Sequence, residues 1–159
     1  MVYLTYIIDY YDFLQNVTIF MHAERYQWHN DDPDYDGQRM LSRMNISHVR
    51  AQGYTSLRCA WNIGCPIEVR PENDLGTIHH PPKAGQIYKP SFEELFPETD
   101  VPGIVGSPCC AQFAVSKEAI RSRPRSDYER YRQWILKTDQ ADELSGRFLE
   151  YAWHSSYPL

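Results

Sequence analysis

The stretch "VTIFMHAERYQWHNDDPDYDG", from Val17 to Gly37, joins a strand-like segment to a dense group of titratable side chains. Residues 17–21 combine β-branched and aromatic side chains, which is typical of a buried strand. The sixteen residues that follow include two His, one Glu and four Asp. A metal site, an acid/base site, a phosphate or nucleic-acid contact and a solvated loop all fit this composition.

The bulk composition indicates one globular domain without membrane or DNA contacts. A chain of 159 residues is the size of a single domain, and it buries roughly 70% of its unfolded surface on folding. The net charge of -5 gives no overall positive field to attract DNA. No apolar run approaches ~18 residues, and no signal peptide precedes the first polar residues. We therefore expect a cytoplasmic protein.

Helical and strand-like patterns alternate along the chain, which predicts a small, single-domain, layered α/β fold over residues 1–159. Strands are predicted at 17–21, 54–59 and 111–115. Helices are predicted at 2–14, 36–44, 117–123, 126–137 and 145–154, with Asp36, Ser116 and a Ser126/Glu129 capping box at three of their starts. Residues 66–108 contain most of the 11 prolines, so we expect an insertion or lid there, with one short helix at 91–96.

The four cysteines are expected to be reduced thiols, because nothing in the sequence marks the chain as secreted; they are Cys59, Cys65, Cys109 and Cys110. His22-Ala23-Glu24 together with Pro108-Cys109-Cys110 partly matches the zinc deaminase pattern. That pattern needs two residues between its cysteines, and two adjacent cysteines do not suit one tetrahedral zinc. We therefore exclude a deaminase.

The acidic loop offers two Asp-x-Asp arrangements, Asp32-Pro33-Asp34 and Asp34-Tyr35-Asp36. Carboxylates in a short loop after a strand suit Mg²⁺ or Mn²⁺ on a diphosphate, which predicts Asp34 and Asp36 as metal ligands. A solvated acidic loop is the alternative. Trp28 and His29 lie beside these residues, and an aromatic ring in so polar a loop suggests stacking on a ring or a base.

The last predicted helix carries Arg147, Glu150 and His154 at positions i, i+3 and i+7, which form one stripe. Glu and His together suit general acid/base chemistry, and Arg suits an anion. A surface row of ion pairs is the alternative. Residues 117–132 form the one basic region, where a phosphate contact and a solvated helix face both remain open.

Several blocks together resemble a fungal family known as domain of unknown function 3431, and the resemblance covers about residues 2–154. The blocks are "YLTYIIDYYDFL", "VTIFMHA", "WHNDD", "QGYTSLRC", "CCAQFAVSKEAIRSRPRSDYERY" and "SGRFLEYAWH". The resemblance implies a glycosyltransferase-like fold. For some members it implies arginine-containing cyclodipeptide synthases of fungal secondary metabolism, which join amino acids delivered on tRNA.

The chain departs from the family it resembles at two places. Family members carry a Gly-Arg-Glu element just before the position of Tyr3, which implies that an N-terminal strand is missing here. The synthases are associated with an Asp-Asp-x-x-Glu signature, whereas the segment beginning at Asp31 has Tyr35 at the Glu position.

Three functions follow from these patterns. In a synthase, Glu150, His154 and His22 are the expected catalytic residues, and the expected substrate-binding residues are Arg147, Arg58, Trp28, His29, Asp31, Asp32 and Gln112. In a glycosyltransferase-like enzyme, Asp34 and Asp36 would hold Mg or Mn on a nucleotide sugar while Glu150 activates the acceptor. The third function is that of a shortened, non-catalytic relative that binds a partner or a small molecule.

Overall fold

A computed structural model describes residues 1–58, 60, 65–74 and 83–157. Within these ranges the chain forms a mixed α/β fold with eight α-helices and a three-stranded antiparallel sheet. The strands are β1 (Val17–Phe20), β2 (Tyr54–Ser56) and β3 (Phe113–Ser116), in the order β1-β3-β2. This confirms the α/β expectation at the level of mixed secondary structure, and the sheet is antiparallel.

The helices hold many more of the described residues than the strands do. They are α1 (Val2–Asp9), α2 (Gly37–Ser42), α3 (Ile46–Gln52), α4 (Pro71–Asp74), α5 (Gly85–Leu95), α6 (Lys117–Arg121), α7 (Arg125–Lys137) and α8 (Asp142–Ala152). Two 3-10 turns follow α1 and α8, at Tyr11–Phe13 and Trp153–Ser156. No helix among these residues has the length and apolar character needed to cross a membrane.

Alternation along the strands divides the core between the two faces of the sheet. Phe20 pairs with Phe113 across β1 and β3, and both rings lie in the larger apolar cluster. Ala114 on the opposite face belongs to a smaller cluster with Met40 and Val49, from α2 and α3. The sheet therefore lies between α2 and α3 on one side and a group of five helices on the other, namely α1, α5, α6, α7 and α8.

The larger cluster is rich in aromatic rings. The ring centroid of Phe113 lies 5.0 Å from that of Tyr54 and 5.4 Å from that of Trp153. Helix α5 adds Tyr88 and Phe92 to the same cluster. That part of the proline-rich range 66–108 is therefore an integral part of the core.

Side-chain caps explain where several elements begin. Asp36 accepts from the backbone N–H of Gln38 at the start of α2, and Ser116 accepts from that of Ala119 at the start of α6. Both predicted caps are confirmed. The capping box at Ser126 is wrong, because α7 begins one residue earlier, after Pro124, whose ring fixes a suitable backbone angle.

Two helix starts predicted from the sequence are too late. Helix α8 begins at Asp142, and Ser145 lies buried within it. Helix α5 begins at Gly85 and continues through Pro90, where the sequence predicts a start only after the proline. A proline removes one backbone hydrogen bond from a helix, and in α5 the burial of Tyr88, Phe92 and Leu95 compensates for that loss.

Candidate active site

The loop that follows β1 is held in shape by its own acidic residues. The Asp32 carboxylate accepts from the backbone N–H groups of Asp34 and Asp36, at 3.1 and 3.3 Å, and pairs with Arg43 at 3.1 Å. Asp36 caps α2 and forms two hydrogen bonds with Arg25, at 2.9 and 2.8 Å. The Arg25 contact lowers the pKa of Asp36 to about 2. These carboxylates therefore stabilise the loop.

A single buried amide ties this loop to the sheet. Gln112 immediately precedes β3, and its Oε1 accepts from the backbone N–H of His22 at 3.1 Å. Its Nε2 donates to the backbone carbonyl of His29 at 3.0 Å and lies 3.4 Å from Asn30 Oδ1. His22 and His29, at the two ends of residues 22–29, are thus both held by the Gln112 side chain, which is only 2% exposed.

These contacts place two imidazole rings against each other. The rings of His22 and His29 have centroids 4.4 Å apart. Nε2 of His22 lies 3.0 Å from the backbone carbonyl of Cys110, which only accepts. In neutral His22 that nitrogen therefore carries the proton, and Nδ1 keeps a free lone pair.

The same reasoning fixes the tautomer of His29. The amide nitrogen of Gln27 donates to the carbonyl of Glu24 at 3.3 Å, so its Oε1 faces His29 Nδ1 at 3.0 Å. Neutral His29 therefore donates from Nδ1 and keeps a basic Nε2. Burial lowers the pKa of His29, and His22 and Arg58 lower it further, against an opposing effect of Glu150. The ring is thus neutral, and able to accept a proton, near pH 7.

Glu150 reaches the same cluster through the backbone of Cys110. Its side chain on α8 is 12% exposed. One carboxylate oxygen accepts the N–H of Cys110, and the other pairs with Arg147 at 2.9 Å. Because the carbonyl of Cys110 accepts from His22, this one residue lies between the carboxylate and the imidazole.

Cys110 is held in an unusual backbone conformation. It is joined by a disulfide to Cys109, which corrects the expectation of reduced thiols at this pair, whereas Cys65 is free. Cys110 and Ala111 have φ angles of 88° and 48°, in the left-handed region that L-residues seldom adopt. The bond between adjacent side chains restrains the segment that contacts both Glu150 and His22. Cys59 lies outside the described residues.

An aromatic and cationic rim borders the histidines. The Trp28 ring is 50% exposed, and its centroid lies 4.1 Å from that of His29. The Arg58 guanidinium carbon lies 5.4 Å from the Trp28 ring centroid, within the range of a cation–π interaction. The structure thus groups most of the residues predicted from the sequence, namely His22, Trp28, His29, Arg58, Gln112, Arg147 and Glu150.

Other predicted residues lie apart from this cluster or serve the loop. Asp34 is exposed and pairs with Arg39, while Asp31 is half-buried in the loop. His154 is exposed in the 3-10 turn after α8, and among the described residues no hydrogen bond joins its ring to the cluster. Tyr35 stands at the loop tip with φ 58° and half its surface exposed.

The geometry adds nothing to the predicted metal site. Asp36 is occupied by Arg25 and the α2 cap. Within the described ranges, no group of three or more His, Cys, Asp or Glu side chains is arranged to hold a metal ion. Asp34 and Asp36 as ligands of Mg or Mn therefore stay a prediction.

Two contributors could not be identified from the sequence. Gln27 orients His29, and the backbone of Cys110 connects positions 88 and 40 residues away along the chain. The adjacent cysteines were the one sequence feature that pointed to the Cys110 backbone, since a disulfide between neighbouring residues restrains the peptide unit between them.

The chain belongs to the family described as a protein of unknown function, DUF3431, whose model matches residues 1–158. No curated protein and no solved structure matches the chain.

Proposed function

We propose that the chain is a cytoplasmic transferase of fungal secondary metabolism that forms an arginine-containing cyclodipeptide from two aminoacyl-tRNAs. The family resemblance suggests the reaction class. The observation that carries the proposal is the pair of imidazoles of His22 and His29, whose centroids lie 4.4 Å apart. Among the described residues, each ring has one nitrogen without a hydrogen-bond partner. Such a pair suits proton transfer near neutral pH.

The proposed reaction makes two amide bonds and breaks two ester bonds. The ammonium group of one aminoacyl ester loses a proton to a base, and the resulting amine attacks the carbonyl carbon of the second ester. The C–O bond then breaks, and the departing ribose oxygen takes up the proton from the base and becomes a hydroxyl. The new amide nitrogen gives up its second proton to another base. The second amine attacks the remaining ester in the same way, which closes the ring and releases the second tRNA.

His29 is the better candidate for the base, and its Nε2 accepts the proton in this proposal. Its lowered pKa keeps it neutral, and Gln27 holds its Nδ1–H away from the substrate side. Protonated His29 then returns this proton from Nε2 to the departing oxygen, and Nδ1 of His22 takes up the second proton that the attacking nitrogen releases. Glu150 positions the Cys110 backbone and balances positive charge on the imidazoles, and it takes this supporting role in place of the base role expected from the sequence.

The two alternatives have less support. Sugar transfer would need Asp34 and Asp36 to bind a metal, yet Arg39 and Arg25 already pair with them. A non-catalytic binding protein would have no need of two imidazole rings packed against each other, although it would keep the exposed rim at Trp28.

The test is expression of the chain in yeast, with mass spectrometry of the metabolites against an empty-vector control. We expect a new ion that matches an arginine-containing cyclodipeptide. Its yield should fall about 100-fold or more in His29→Asn, because general base catalysis contributes roughly 10²–10⁴-fold. His48→Asn is the matched control, since His48 is exposed on α3.

The other outcomes separate the alternatives. Absence of a new ion from soluble wild-type protein would overturn the synthase. Turnover of a nucleotide sugar that EDTA abolishes and Mn²⁺ restores would establish sugar transfer instead. A yield unchanged in His29→Asn would remove His29 from the mechanism.

A further inference from the structure

Arg58 is a buried cation that has no carboxylate partner among the described residues. Its side chain follows β2 and is only 8% exposed. Among the described residues its hydrogen bonds go from Nη1 to the carbonyls of Trp28 and His29, at 3.2 and 3.4 Å, and its Nε has no partner. No ion pair to Arg58 occurs in these ranges. Buried charges in proteins are ordinarily paired.

The residue beside Arg58 has the complementary property of a large open ring. Trp28 contacts the ring of His29 and the guanidinium of Arg58, while half of its own surface stays exposed. An indole held on a polar loop in this way is a ready platform for a planar ring. A cation that can bind phosphate and a ring on which a base can stack match the two parts of a nucleotide.

We propose that Arg58 and Trp28 bind a nucleoside monophosphate unit, with the phosphate paired to the guanidinium and the base stacked on the indole. The inference rests on the proposed function in one respect: the adenosine at the end of tRNA would be the natural occupant. The uridine nucleotide of a sugar donor presents the same chemistry. The guanidinium suits phosphate because its planar donors match phosphate oxygens.

Binding is tested on the full chain labelled with ¹⁵N, with AMP, UMP, adenosine and inorganic phosphate as separate probes. We expect AMP to shift the Trp28 indole N–H signal, which Trp28→Phe identifies. Adenosine or phosphate alone should bind at least about tenfold more weakly, because each engages one of the two groups. A preference for UMP would support the site and identify a sugar nucleotide as its source.

Two variants and one control locate the site. Arg58→Gln should weaken AMP binding about tenfold or more, since a charge-assisted hydrogen bond is lost. Trp28→Leu should weaken it about fivefold or more, and its half-exposed position makes this variant informative even if Arg58→Gln fails to fold. Arg121→Gln changes an exposed arginine that contacts the carbonyls of Tyr11 and Asp12, and it should leave binding unchanged.

The inference fails if AMP and UMP leave the Trp28 signal unmoved, or if Trp28→Leu binds as tightly as wild type. This readout involves no turnover, so it is independent of the proposed function. Cyclodipeptide formation without AMP binding would overturn only the nucleotide site. AMP binding without any product would overturn only the synthase.

Discussion

The imidazole rings of His22 and His29 lie 4.4 Å apart, and each is anchored through one nitrogen to a group that only accepts. The anchors are the carbonyl of Cys110 and the amide oxygen of Gln27. In its neutral form each ring therefore carries no proton on its second nitrogen. The charges of Arg58 and Glu150 influence how readily His29 binds a proton.

The pKa of His29 should respond in opposite directions to its two charged neighbours. Removing positive charge in Arg58→Gln should raise it, and removing negative charge in Glu150→Gln should lower it, because Arg58 lowers and Glu150 raises this pKa. An NMR titration of the His29 ring measures both shifts. Shifts of the same sign in the two variants would contradict the arrangement, and Glu143→Gln, on the exposed first turn of α8, is the control.

Gln112→Ala should lower the free energy of unfolding by about 2–3 kcal/mol, since each buried polar group left unpaired costs about 1–3 kcal/mol. The variant removes the partners of the His22 N–H and the His29 carbonyl. Urea unfolding measures the loss. Gln133→Ala, at an exposed position on α7, is the matched control and should change stability by less than about 0.5 kcal/mol. Equal effects in both variants would contradict the role of Gln112.

Asp36→Asn should destabilise the protein at neutral pH, and the difference from wild type should disappear in acid. The folded pKa of Asp36 is lowered from 3.8 to about 2 by Arg25. The charged carboxylate therefore stabilises the folded protein at pH values above the pKa of Asp36 in the unfolded chain. This contribution is lost as the pH falls through the folded pKa of about 2. Because Asn also caps helices, the variant isolates the charge.

The measurement for Asp36 is urea unfolding at several pH values between 2 and 7. The exposed pair of Asp34 with Arg39 provides the comparison, and Asp34→Asn should cost less than about 1 kcal/mol. A difference between wild type and Asp36→Asn that stays constant down to pH 2 would show that the Arg25 pair does not form.

Reduction of the Cys109–Cys110 disulfide should disturb His22 and Glu150 together. Cys110 has a left-handed φ and contacts both residues through its backbone. Once the bond between the side chains is opened by a dithiol, the segment can return to an ordinary conformation. In a Cys59→Ser, Cys65→Ser background, the NMR signals of the His22 ring should shift on reduction. Superimposable spectra would show that the disulfide leaves the site unaffected.

Local features were predictable from the sequence, and long-range contacts were not. The β1 strand and the caps at Asp36 and Ser116 depend on neighbours within a few residues, which a pattern of side chains records. The contact of Cys110 with Glu150 joins residues 40 apart, and the register of β1 on β3 joins residues almost 100 apart. Asp36 illustrates the same limit within the loop, since sequence spacing could not distinguish a metal ligand from a partner of Arg25.

The buried amide of Gln112 also bears on how the loop moves. A loop anchored only at its ends opens on its own, and its amide hydrogens exchange with solvent within seconds or minutes. Here the backbones of His22 and His29 are both hydrogen-bonded to the side chain of Gln112, which immediately precedes the central strand β3. The His22 amide should therefore exchange as slowly as those of β3, because releasing it requires the strand itself to open.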